Sequence, residues 1–87
     1  MKIREGFMLR QIADNYIIVP VGKASYEFNG MIKLNETGAF IWKCLSENIS
    51  IDNLIEKMTD EYNVNVEVAK QDINSFINQL KEANLIE

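Results

Sequence analysis

The sequence predicts an α+β fold, in which a small N-terminal antiparallel sheet of three or four short strands precedes three α-helices gathered on one side of it. Three observations carry that expectation. Runs rich in β-branched residues fill the first third and are separated by residue pairs suited to tight turns. From Glu36 onward the apolar residues recur at helical spacing instead. Each of the three periodic stretches is preceded by Asn or Ser, residues that favour a helix N-cap.

Taken in order, "FMLRQIA" (Phe7 to Ala13) alternates moderately, and "YIIVPV" (Tyr16 to Val21) is β-branched. Asp14-Asn15 lies between them, a pair that tolerates positive φ and suits a hairpin turn. Pro20 lacks an N–H and favours a strand end or an edge. Gly22 to Ala24 break the run. "SYEF" and "MIKL" then flank Asn29-Gly30, the strongest short-range hairpin signal, so a second hairpin is expected. The sheet would span about residues 7–34, with Met31, Ile32, Lys33 and Leu34 as its last strand.

The helices are expected over about residues 36–47, 51–62 and 66–83, capped by Asn35, Ser50 and Asn65. The first carries Ile41, Trp42, Cys44 and Leu45 on a broad apolar face. Gly38 in its first turn costs roughly 1 kcal/mol relative to alanine, and close approach of the preceding strand would account for it. Ile51, Leu54, Ile55, Met58 and Tyr62 mark the second helix. Val66, Ala69, Ile73, Phe76, Ile77 and Leu80 mark the third, and Asn84 suits its C-terminal cap.

Composition narrows the function. The chain has 87 residues, enough for one domain (1–87) and one small core, and no linker, repeat or low-complexity segment divides it. No apolar run approaches the roughly 18 residues that span a bilayer. "MKIREGFMLRQIADN" has no apolar core of signal type, so a cytoplasmic location and no membrane partner are expected. Histidine is absent and Cys44 is the only cysteine, so the commonest general base and metal ligand are missing; no catalytic residue, cofactor or metal is expected.

Net charge is −4, opposite in sign to most phosphate binders. Three helices with a short break invite a winged-helix or helix-turn-helix reading, with the third as recognition helix. That helix carries Glu67, Lys70, Asp72, Lys81 and Glu82 and no arginine, which argues against nucleic acid. The carboxylates fall on polar helix faces, so a solvated surface explains them better than acid–base chemistry. Cys44 lies on the apolar side of its helix, where a buried small hydrophobe is the better reading than a reactive thiol. The glycines lack the spacing of a phosphate loop. A small sheet with exposed edges remains, and an exposed edge commonly accepts a peptide as an added strand.

"YIIVP" followed by "LNETGAFIW" resembles the PqqD-like family: a strand, then Leu34-Asn35, the small or polar Glu36, Thr37, Gly38 and Ala39, and a helix with Ile41-Trp42. "MTDEYNV" and the closing "FINQLKEANLIE" extend the match over essentially the whole chain. The resemblance implies a winged-helix-like domain, also called a RiPP recognition element. Such domains are non-catalytic adaptors. They bind the leader segment of a ribosomally made precursor peptide by strand addition and present it to a modifying enzyme such as a radical SAM protein.

Carried over, the docking strand is Met31, Ile32, Lys33 and Leu34, facing the third helix. On that helix Lys70, Asn74, Ile77 and Lys81 form one flank of the apolar stripe, and Asp72, Gln79 and Ala83 form the other. The first is the expected peptide face, because an apolar residue between lysines suits apolar and acidic leaders. "GKASYEFNG" is longer than the family's usual link and could cover the edge as an extra hairpin or serve strand exchange, so either a monomer or a strand-exchanged homodimer is expected. The alternatives are a winged-helix DNA-binding regulator and a self-associating accessory protein.

Overall fold

Strands β1 (Phe7–Ile12) and β2 (Asn15–Pro20) form an antiparallel hairpin in the computed structural model, which describes residues 2–27 and 31–86. The turn is Ala13-Asp14, not the expected Asp14-Asn15: Ile12 pairs with Asn15, and Ala13 takes φ 55°. Register explains the difference. The observed pairing sets Leu9 opposite Ile18, whereas a turn one residue later would put Gln11 there. Ile18 is fully buried, so the apolar pair outweighs the modest cost of an alanine at positive φ.

After Pro20 the chain turns at Gly22 (φ 58°) into a single helical turn, α1 (Ala24–Glu27). Ser25 to Glu27, expected in a strand at "SYEF", are therefore helical instead. The Gly22 carbonyl accepts bonds from the Ser25 backbone N–H (3.2 Å) and hydroxyl (2.6 Å), and the Lys23 carbonyl accepts from Tyr26 N–H at 3.1 Å. Local serine chemistry of this kind competes with strand pairing. The Asn29-Gly30 turn lies outside the described residues. Among the described residues the sheet has three strands in the order β1-β2-β3, β3 being Ile32–Leu34. Met31 precedes β3 and is 67% exposed.

Helices α2 (Glu36–Leu45), α3 (Ile51–Tyr62) and α4 (Val66–Glu82) follow. Their expected caps are present: Asn35 Oδ1 accepts from Gly38 N–H at 2.8 Å, Ser50 Oγ from Asn53 N–H at 3.2 Å, and Asn65 Oδ1 from Val68 N–H at 2.8 Å. Helix α4 closes on Asn84, whose φ is 61°. Asn84 N–H reaches the Lys81 carbonyl and Leu85 N–H the Leu80 carbonyl, the paired bonds of a Schellman ending. That ending turns Leu85 fully into the core.

One core joins sheet and helices. Ile18 and Leu34 come from the strands, Ile41, Trp42 and Leu45 from α2, Leu54 and Met58 from α3, and Ala69, Ile73 and Leu80 from α4. The chain ends are tied in as well. Arg4 N–H donates to the Leu85 carbonyl at 2.8 Å, and Ile3 bridges Ile86. Phe40 and Tyr62 pack edge-on with centroids 5.2 Å apart, fixing α2 against α3.

Candidate functional site

Strand β3 follows directly into α2 because Leu34 ends the strand and Asn35 caps the helix. Among the described residues β3 pairs only with β2, so its other edge is free. A cleft of about 380 Å³ opens beside the β3–α2 junction. The junction side is lined by Lys33, Leu34, Asn35, Thr37, Gly38 and Ile41, and the α4 side by Asp72, Ser75, Phe76 and Gln79. The α4 residues lie at i, i+3, i+4 and i+7, one continuous stripe of that helix.

Gly38 shapes the floor. A Cβ there would stand 3.2 Å from Asn35 Oδ1, 3.3 Å from Phe76 Cε1 and 3.5 Å from Leu34 Cβ. The glycine expected for close approach of the strand is thus also needed by the Phe76 ring of α4, which packs across it. Leu34 is buried beneath the same junction.

Strand alternation sorts the side chains of β3. Ile32 and Leu34 turn to the helices, while Lys33 is exposed on the opposite face, in one row with Ile17 and Arg10. Lys33 therefore borders the cleft through the strand itself.

The structure distributes the eight expected site residues unevenly. Met31, Ile32, Lys33 and Leu34 lie on or beside the free edge, with Lys33 and Leu34 in the cleft lining. Ile77 is only 4% exposed and belongs to the core, not to a surface flank. Lys70, Asn74 and Lys81 are exposed, and none of them lines the cleft. The α4 flank turned to the cleft is the other one, of which Asp72 and Gln79 line it and Ala83 does not. Ser75 and the edge of Phe76 join it. Phe76, expected in the core, is a core residue and a cleft wall at once.

Cys44 is buried on the far side of α2, under the surface formed by Phe40, Lys43, Glu47, Lys57, Asp60 and Glu61. Burial pushes its thiol above the ordinary value, Lys57 opposing this and Glu47 and Glu61 adding to it. A thiol held protonated is a poor nucleophile. Burial, reinforced by Glu36 and Glu61, also raises the Tyr62 phenol. Among the described residues no three His, Cys, Asp or Glu side chains group closely enough to hold a metal ion, and no helix is long and apolar enough to cross a membrane.

A small three-stranded α+β domain with a free sheet edge above a cleft is the class of protein this architecture defines. A family model described as coenzyme PQQ synthesis protein D matches residues 15–86, and the chain belongs to that PqqD family. No curated protein matches the chain. Among solved structures it is similar to TbiB1 in complex with the TbiA(beta) leader peptide, at 22% identity and a TM-score of 0.78, covering 100% of this chain and 95% of that one. It is also similar to lasso peptide synthetase B1 complexed with the leader peptide, at 22% identity and a TM-score of 0.76, covering 99% and 95%. At that identity the likeness establishes the shared fold.

Proposed function

We propose that this protein is a non-catalytic adaptor that binds the leader segment of a ribosomally made precursor peptide and presents it to a modifying enzyme, such as a radical SAM protein. The observation that carries this reading is the free edge of β3 standing beside the cleft that α4 walls. An extended peptide hydrogen-bonds to such an edge through its main chain, and alternate side chains enter the cleft and give specificity. Family membership supports the reading, as does the leader peptide present in the two similar solved structures described above.

The docking segment is Met31, Ile32, Lys33 and Leu34. The facing flank of α4 is Asp72, Ser75, Phe76 and Gln79, in place of the flank containing Lys70, Asn74 and Lys81. Nothing in the geometry favours duplex DNA. The cleft flank of α4 carries one charge, and it is the acid Asp72.

The test is an NMR titration of labelled protein with leader-like peptides from short reading frames near its gene, with duplex DNA as control. Shifts at residues 31–34 and on the Asp72–Gln79 stripe, with one peptide and not with DNA, are the expected result. Ile32→Pro removes a main-chain donor and distorts the edge strand, and should abolish those shifts in a protein that still folds. Unchanged affinity in folded Ile32→Pro would refute strand addition at β3. Sedimentation at high concentration separates a leader site from an edge that pairs with a second copy.

A further inference from the structure

Building on the peptide-binding reading, we propose that the peptide is two-faced: its cleft side carries a basic residue two positions from an apolar one, with Asp72 recognising the base. Phe76, Gly38 and Ile41 give the cleft an apolar floor. Asp72 stands one helical turn before Phe76, about 6 Å along the axis of α4. Side chains on one face of a strand repeat about every 6.6–6.8 Å. A strand laid along α4 therefore sets one side chain over Phe76 and the next inward one beside Asp72.

The charge preference follows from the surroundings. Asp72 is the only acid lining the cleft and has no ion-pair partner among the described residues. The helical part of the chain, residues 35–87, carries −6, whereas residues 1–34 carry +2, which together give the net −4. The α4 wall thus belongs to the acidic part of the protein. The N-terminus of α2 does not reverse this, because Asn35 Oδ1 already accepts the Gly38 N–H and Glu36 occupies the first turn.

Lys33 faces the other side of the docking strand, so an outward residue of an added strand beside it meets a cation. The ligand pattern is a base and an apolar residue inward, with an acid outward beside Lys33.

The experiment is selection from a random peptide display library against the full chain, run in parallel on wild type, Asp72→Lys and Glu56→Lys. Glu56 is an exposed acid of α3 outside the cleft, so its reversal changes net charge equally without touching the site. Wild type should enrich Lys or Arg two residues from an apolar residue. Asp72→Lys should exchange that base for an acid and bind wild-type-selected peptides roughly tenfold more weakly, while Glu56→Lys changes neither. Enrichment with no basic preference, or with one that Asp72→Lys leaves intact, overturns this inference and leaves the peptide-binding reading standing. Enrichment of no peptide by any of the three proteins overturns both.

Discussion

Gly38→Val probes the point where strand, helix cap and cleft floor meet. A Cβ alone would lie 3.2 Å from Asn35 Oδ1 and 3.3 Å from Phe76 Cε1. The two γ-methyls of valine reach about 1.5 Å further, into the cap or the ring. Phe76 is 93% buried on the residue's own scale, 7% remaining exposed, so its ring has little room to withdraw. Overpacking of this kind costs about 1–3 kcal/mol, and replacing glycine in a helix returns only a few tenths. A loss near 2 kcal/mol in a domain of this size lowers Tm by roughly 8–16 °C.

The same methyls occupy the apolar floor of the cleft. A peptide side chain excluded from it forfeits about 1.5–3 kcal/mol, roughly ten- to a hundredfold in Kd. Gly38→Ala is the companion variant. Its Cβ asks the neighbours to move by a few tenths of an ångström, and helix propensity gains up to about 1 kcal/mol. Those effects oppose each other, so stability should stay within about 1 kcal/mol of wild type. Thermal unfolding by circular dichroism and fluorescence anisotropy with a titrating peptide measure both quantities. If valine melts with wild type and binds equally well, the close packing of Phe76 on Gly38 is not what shapes the cleft.

Three further outcomes are expected. Asn65→Ala removes the α4 cap bond at 2.8 Å far from the cleft, and should cost about 1 kcal/mol in chemical denaturation while leaving peptide affinity unchanged. Lys57→Ala breaks the exposed pair with Glu47 at 3.3 Å and should change stability by less than about 0.5 kcal/mol in the same assay. Stability should decline as pH rises past the ordinary thiol and phenol values, about 8.5 and 10. Folding raises the pKa of Cys44 and Tyr62, so the unfolded chain loses those protons first and is favoured in alkali. The double variant Cys44→Ala, Tyr62→Phe should show a shallower decline in denaturation midpoints over that range.

Much of the fold is legible in the sequence because its signals are local. Asn35, Ser50 and Asn65 cap the three helices as their chemistry dictates, and Asn84 ends α4 in the left-handed region that asparagine tolerates. What misleads is decided at longer range. The first turn shifts to Ala13-Asp14 because Leu9 and Ile18 pair across the hairpin. The "SYEF" segment looks like a strand until Ser25 bonds back to Gly22. Both cases set a local preference against a partner that the sequence does not name.

The site shows the same division more sharply. The end of β3 is readable because the Leu34-Asn35 transition fixes where strand becomes helix. The choice of flank on α4 is not, because a helical wheel gives two flanks and no direction. The packing of α4 decides only which flank lines the cleft. Ala69, Ile73, Ile77 and Leu80 fill the core, and that rotates Asp72, Ser75 and Gln79 toward the junction and Lys70, Asn74 and Lys81 away. Ile77 packs into the core with Ala69, Ile73 and Leu80, so the flank on which it was expected keeps only the polar Lys70, Asn74 and Lys81 at the surface. One sequence feature gains its meaning from the packing. Gly38 asks for a close neighbour, and that neighbour is Phe76, which lies on the same cleft-lining stripe as Asp72 and Gln79.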